Sequence, residues 1–214
     1  MRFVGLAGGV AALMLGLGIA CGLAQAAAPS KSGKSAPLPP LKTLSESEKS
    51  LREAQAELLS VLYDQLQKAE NEASAERITS AIEKLWSRSG SDTADLLMER
   101  AGIAIKAQNY NLATKILTAL TEVEPRFAAG WNQLATVYFL KDQYVPAMQK
   151  LRHVLALDPR HFKAIEGLAI ILRETGNKKA ALRVTRKALA VNPFLKSAKQ
   201  AEEELAREVE GQGI

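Results

Sequence analysis

A chain of 214 residues with 47% apolar and 24% charged side chains suits one folded domain beside a tail. Its single cysteine excludes an internal disulfide framework, and a core of this size needs no such staple. The net charge is +5, aromatic residues are only 5%, and alanine is abundant, as in many helical repeats.

Residues 1–26 read as a secretory signal peptide. Arg2 gives a minimal positive start, Phe3 to Ala20 is an unbroken apolar and glycine-rich run, and Ala24-Gln25-Ala26 supplies an A-x-A cleavage pattern. Two alternatives stand beside cleavage after Ala26. The run approaches spanning length and could stay as an N-terminal anchor. Gly18-Ile19-Ala20-Cys21 also resembles a bacterial lipobox, with lipidation at Cys21, although Gly18 stands where a larger aliphatic residue is usual. Cleavage after Ala26 leaves a chain without cysteine, which removes thiol catalysis and cysteine-ligated metals.

Residues 27–44 form a linker. Pro29, Pro37, Pro39 and Pro40 stand among lysine, serine and glycine, and no apolar face can be drawn through them. A helical hairpin is expected over 45–93. Ser45 precedes Glu48 as a capping box would, and a helix to about Ala69 carries the stripe Leu51, Leu58, Leu62, Leu66. An a/d pattern lasting about two heptads is short for a coiled coil, so this helix is expected to pack on the next. That second helix, about Ser74 to Ser87, carries Ile78, Ile82, Leu85 and Trp86. The pair suggests a degenerate repeat closing the first end of a helical array over 94–195, with Asp92 or Thr93 capping the next helix.

Pro125, Pro159 and Pro193 are spaced 34 residues apart in that array. In phase with them run Leu97/Trp131/Ile165, Ala101/Ala135/Ala169, Ala113/Ala147/Ala181, Leu120/Val154/Ala188 and Val123/Leu157/Val191. A period of this length marks a solenoid whose units bury their faces against one another. Each unit divides into two helices. Trp131, Leu134, Ala135 and Tyr138 share one helix face, Ala147, Leu151, Val154 and Leu155 share another, and Lys141-Asp142-Gln143 is the polar turn between them. Pro159 stops the second helix because it lacks an N–H and clashes with the preceding turn.

Trp131-x2-Leu134-Ala135-x2-Tyr138, followed by Ala147 and Pro159, resembles the tetratricopeptide repeat, with alanine in place of its glycine. The first copy is weaker, with Leu97, Arg100, Ala101 and Ala104 in those places; the third has Ile165, Leu168, Ala169 and Leu172, and a turn glycine at Gly176. The resemblance implies an all-α, right-handed superhelical solenoid with repeats at 94–127, 128–161 and 162–195, and capping helices at both ends. The last cap is expected at 194–210, with Leu195, Ala198, Leu205 and Val209 inward and Glu202, Glu203, Glu204, Arg207 and Glu208 outward.

The resemblance also implies a concave groove, lined by the first helices, that holds a peptide or partner helix. Met98 and Ile105 face it from the first copy, Asn132, Gln133, Thr136 and Phe139 from the second, and Lys163, Glu166, Ile170 and Arg173 from the third. Spacing agrees for Asn132, Thr136 and Phe139, which avoid the buried stripe. The competing reading is that Phe139 and Ile170 fill space between neighbouring helices. Some family members clamp a partner's C-terminal carboxylates with Lys and Asn in the first repeat. Met98 and Gly102 stand there in this chain, which argues against such a clamp.

Nothing frames a catalytic site. His153 and His161 sit eight residues apart across a proline without further ligands, and no G-x-S-x-G, H-E-x-x-H or P-loop occurs. No cofactor, metal or nucleic acid is expected. Charge is uneven: Ser45–Arg100 holds 12 acidic and 7 basic residues, Arg152–Lys199 holds 11 basic and 3 acidic. Lys178, Lys179, Arg183, Arg186 and Lys187 share half of one helix, either for an acidic partner or anionic surface or as a solvated outer face. The expectation is an exported scaffold of the cell envelope that binds another protein; the alternative is a structural subunit assembling through its ends or its first helix.

Overall fold

The computed structural model describes residues 46–211. The expected signal peptide, linker and Ser45 cap lie outside the described residues. Among those described, nine α-helices and no strands occur: α1 (Glu46–Gln67), α2 (Glu72–Trp86), α3 (Asp92–Lys106), α4 (Tyr110–Val123), α5 (Ala128–Leu140), α6 (Tyr144–Leu157), α7 (Phe162–Glu174), α8 (Lys178–Val191) and α9 (Lys196–Val209). This is an all-α helical repeat solenoid. The helices belong to one unit, Leu44–Ile214, whose buried clusters come from its own residues. A unit of this size buries enough surface to fold by itself.

Three helix pairs, α3–α4, α5–α6 and α7–α8, follow the 34-residue period. Their inner turns are built alike. The backbone N–H groups of Asn109, Gln143 and Asn177 donate to Ala104, Tyr138 and Leu172 at 2.8, 2.9 and 2.8 Å. One residue earlier, Gln108, Asp142 and Gly176 adopt left-handed φ values of 56°, 57° and 79°. This is the Schellman ending, which returns the chain antiparallel while satisfying the last carbonyls of the first helix. Asn109 and Asn177 then accept from Leu112 and Ala180 as side-chain caps of the second helix.

The alanine columns are the packing surfaces. Ala101, Ala135 and Ala169 are buried, and so are Ala113, Ala147 and Ala181. Across the first junction Ala113 and Leu117 of α4 meet Leu134 and Val137 of α5; across the second Ala147, Leu151 and Val154 of α6 meet Ala164 and Ile171 of α7. Gly130 stands where α5 comes closest to α4, and a Cβ there would run into Leu120. Full burial of a side chain such as Val137 stabilises by about 1.5–3 kcal/mol. α9 continues the pattern: Ala198 and Leu205 pack on α8 as Ala164 and Ile171 pack on α6. It is therefore the first helix of a fourth unit as well as the last helix of the stack.

The hairpin α1–α2 is placed differently from the sequence expectation. Its buried side chains, Tyr63, Leu66, Ala75, Ile82 and Trp86, cluster with Phe162, Ile165, Ala188, Val191 and Ala198 of the third and fourth units, not with α3. The expected stripe is rotated as well: Leu51 and Leu58 are 70% and 47% exposed, and Tyr63 takes the inward place. The caps also differ in detail. Asn71 and Ser74 form a reciprocal capping box on α2, and Ser91, not Asp92 or Thr93, caps α3.

Two non-glycine residues in left-handed turns predict a measurable asymmetry. Gln108→Gly should raise unfolding stability by about 0.5–1 kcal/mol, and Gly176→Ala should lower it by about 1 kcal/mol or more. Urea unfolding of both variants checks this.

Candidate functional site

Reading the first helices in register brings eight of the ten expected groove residues onto three columns, with Gln133 and Lys163 falling beside them. Met98, Asn132 and Glu166 form one, Ile105, Phe139 and Arg173 another, and Thr136 and Ile170 a third with Gly102 before them. Their surroundings differ between copies. Met98 and Ile105 are half-buried and pack into the cluster of Ala101, Ala104 and Leu134. Asn132, Gln133 and Phe139 are half-exposed and Thr136 is exposed. The Thr136 hydroxyl donates to the Asn132 carbonyl at 3.1 Å, and Phe139 lies 5.9 Å from the Tyr144 ring at a tilt. The side-chain amides of Asn132 and Gln133 have no partner among the described residues.

In the third copy all four residues meet other helices. Lys163 Nζ pairs with Glu83 of α2 at 2.7 Å. Glu166 accepts a hydrogen bond from Ser197 of α9. Arg173 lies 3.8 Å from Glu204 and 3.7 Å from Glu174. Between α7 and α9 is a cleft of about 230 Å³ lined by Glu166, Ile170, Arg173, Ser197, Gln200 and Glu204. The last three escape a reading that stops at three repeats. The period itself signals them, because Ala198 and Leu205 stand 34 residues after Ala164 and Ile171.

A second constellation lies where the hairpin meets the loops between units. Asp158 is its centre. Its Oδ2 accepts from Tyr63 Oη at 2.5 Å and from Trp86 Nε1 at 3.2 Å, and its Oδ1 accepts from the Arg160 N–H at 3.0 Å. Arg160 lies over the Tyr63 ring, 4.6 Å from its centroid, and reaches Asp64 at 3.0 Å and Ser60 at 2.8 Å. His161 is buried, stacks on Trp86 at 3.7 Å, and caps α7 by accepting from Ala164 N–H at 3.2 Å. Burial, then Asp158, pushes the Tyr63 phenol up; burial pulls His161 down to about 4, Asp158 opposing and Lys163 adding. Asp158 stands beside Pro159 on the 34-residue period, but no periodic signal marks its hairpin partners Tyr63 and Trp86.

The five cations of α8 divide. Lys178 pairs with Glu208 at 3.1 Å, and Arg186 pairs with both Glu202 and Glu210 at 2.9 Å. Lys179, Arg183 and Lys187 are exposed. His153 is exposed beside Trp131, 4.1 Å between centroids.

Helix pairs on a 34-residue period, closed by the same turn, define a tetratricopeptide-type repeat protein. Comparison with known proteins agrees. The chain is 33% identical over 153 residues to a TPR repeat-containing protein of Rhizobium etli, covering 72% of this chain and 75% of that one. It belongs to the TPR repeat proteins. The Arabidopsis OM64 TPR domain superposes with a TM-score of 0.53 at 21% identity, over 55% of this chain and 98% of that one. The first TPR domain of Spaghetti (RPAP3), bound to an HSP90 peptide, gives 0.54 at 18% identity, over 56% and 98%. No protein-family model matches the chain.

His161 sets a pH dependence with a definite sign. Its folded value of about 4 lies below the ordinary value of about 6.5, so only the unfolded state is protonated between them. This stability is complete above about pH 6.5 and lost as pH falls toward 4, by roughly 2–3 kcal/mol. His161→Asn keeps a helix cap without the titration, so its stability should fall less over that window in matched urea melts.

Proposed function

We propose that the protein is an exported scaffold of the cell envelope that holds a segment of another protein along its first helices, without catalysis. The observation that carries this is the middle helix. α5 presents Asn132 and Gln133, whose side-chain amides have no partner among the described residues, beside the Thr136 hydroxyl and the half-exposed Phe139 ring. Side-chain amides can hydrogen-bond a peptide backbone, and Phe139 offers an apolar anchor.

Its neighbours define the reach of the site. Met98 and Ile105 extend it as apolar wall, and Ile170 and Arg173 extend it toward the α7–α9 cleft. Arg173 stands near two carboxylates at long distances, so its guanidinium keeps donors for a carbonyl or acidic side chain. The RPAP3 domain is described as binding an HSP90 peptide. With Met98 and Gly102 at the clamp places, the segment expected here is internal, not a C-terminal tail. Export rests on Arg2, the run Phe3–Ala20 and Ala24-Gln25-Ala26.

The test is capture from envelope extracts with residues 41–214 and with a Phe139→Ala/Asn132→Ala/Arg173→Ala form of equal helicity. A protein retained by the first and weakened about tenfold or more in the second supports the groove. Equal retention by both removes it. Mass spectrometry of the protein from its native cells should show a chain starting at Ala27 in the envelope fraction; a cytosolic chain retaining Met1 removes the envelope reading.

A further inference from the structure

Each first helix has two positions that pack on the second helix of the unit before it. On α5 these are Gly130 and Val137, on α7 Ala164 and Ile171, and on α9 Ala198 and Leu205, all buried. The same positions of α3 hold Leu96 and Ile103, which are 47% and 62% exposed. No second helix precedes α3, because α2 is committed to the third and fourth units. Among the described residues the first repeat therefore carries half of an inter-repeat interface without its other half, with Leu96 standing where the buried copies have Gly130, Ala164 and Ala198.

The charges between these two residues indicate what covers them. Glu99 and Arg100 share the exposed face with Leu96 and Ile103, and neither makes an ion pair among the described residues. A two-fold axis midway between Glu99 and Arg100 superposes α3 on a second, antiparallel α3. That operation sets Leu96 against the partner's Ile103 and Glu99 against the partner's Arg100. It brings the acidic first turn, Asp92, near the partner's Lys106 and aligns the helix dipoles head to tail. A parallel pairing in register would instead oppose Glu99 to Glu99. Head-to-tail stacking on α9 lacks an apolar counterpart, since α9 exposes no large apolar side chain and its glutamates Glu202, Glu208 and Glu210 are held by α8 cations.

We infer that a second copy of this chain covers Leu96 and Ile103, in an isologous dimer through antiparallel α3 helices. The dimer stands apart from any ligand on α5. It joins two solenoids at their first ends and leaves both α7–α9 clefts at the far ends. A single helix face is a small interface, so association should fall in the range of roughly 1–100 µM.

Sedimentation equilibrium of residues 44–214, the unit that carries its own cores, tests this across that concentration range. The expected result is a monomer–dimer equilibrium that Ile103→Glu weakens at least tenfold while helicity and melting temperature stay unchanged. Glu99→Arg and Arg100→Glu should each weaken it about three- to tenfold, and the double reversal should restore it to within about threefold. The restoration is specific to self-pairing, because a foreign helix or another segment of this chain would not gain the reversed charge. A strictly monomeric protein overturns the proposal. So does a dimer untouched by Ile103→Glu but lost in Leu58→Glu, which would place the contact on the exposed face of α1. Failure of the double reversal to restore binding overturns the antiparallel pairing.

Discussion

Alanine sets the distance between neighbouring helices. Ala101, Ala135 and Ala169 lie on the first helices, Ala113, Ala147 and Ala181 on the second, and all are buried. Where these short side chains meet, backbones come close enough for larger residues on either side, such as Leu117, Leu134 and Ile171, to interlock. Interiors at this density leave no slack, so a longer side chain at any of these places would force the pair apart. The turn geometry and the alignment of the first helices depend on that spacing. So does the placing of Asn132, Thr136 and Phe139 on one side.

The hairpin uses the same period from outside the stack. The residues immediately before the three prolines are Glu124, Asp158 and Asn192. Each bonds to the hairpin: Arg52 to Glu124 at 3.3 Å, Tyr63 and Trp86 to Asp158, and Asn192 to Thr79 at 3.4 Å. Gln67 adds a bond to the Ala190 carbonyl at 2.9 Å, and Lys196 pairs with Glu72. α1 thus runs like a strap across the corners where one unit passes to the next. Tyr63 and Trp86, which donate to Asp158, are both buried, and hydrogen bonds to a charged group are worth about 1.5–3 kcal/mol, more than an exposed pair such as Lys196–Glu72.

How legible this was in the sequence depends on how local the cause is. The repeats could be read because their determinants recur: prolines end helices, alanines mark close approach, and polar triplets mark turns. The columns of candidate groove residues follow from the same register. The hairpin's position could not be read, since Tyr63, Trp86 and His161 occur once and meet only through the tertiary fold. Counting leucines selected Leu51 and Leu58, but packing against Asp158 and Phe162 turned α1 toward Tyr63. The fourth half-unit was present in the spacing of Ala198 and Leu205, hidden by the acidic residues that make α9 look like a plain cap. The ties of Lys163 to Glu83 and of Arg173 to Glu204 follow from those two placements.

The strap changes what kind of object the solenoid is. A plain repeat array behaves as a row of units coupled to nearest neighbours, which can lengthen, bend or fray from one end. Here the bonds from α1 and α2 join residues 72, 95, 113 and 123 positions apart. The row is closed into a loop of constraints, so pulling the units apart must break the strap before the spring can stretch. Synthesis feels the same constraint. The hairpin is made before the repeats, but its docking surface at Val191, Asn192 and Ala198 lies at and beyond the end of the third repeat. Its apolar face must therefore wait for nearly the whole repeat array, giving a locally folding protein one late, long-range step.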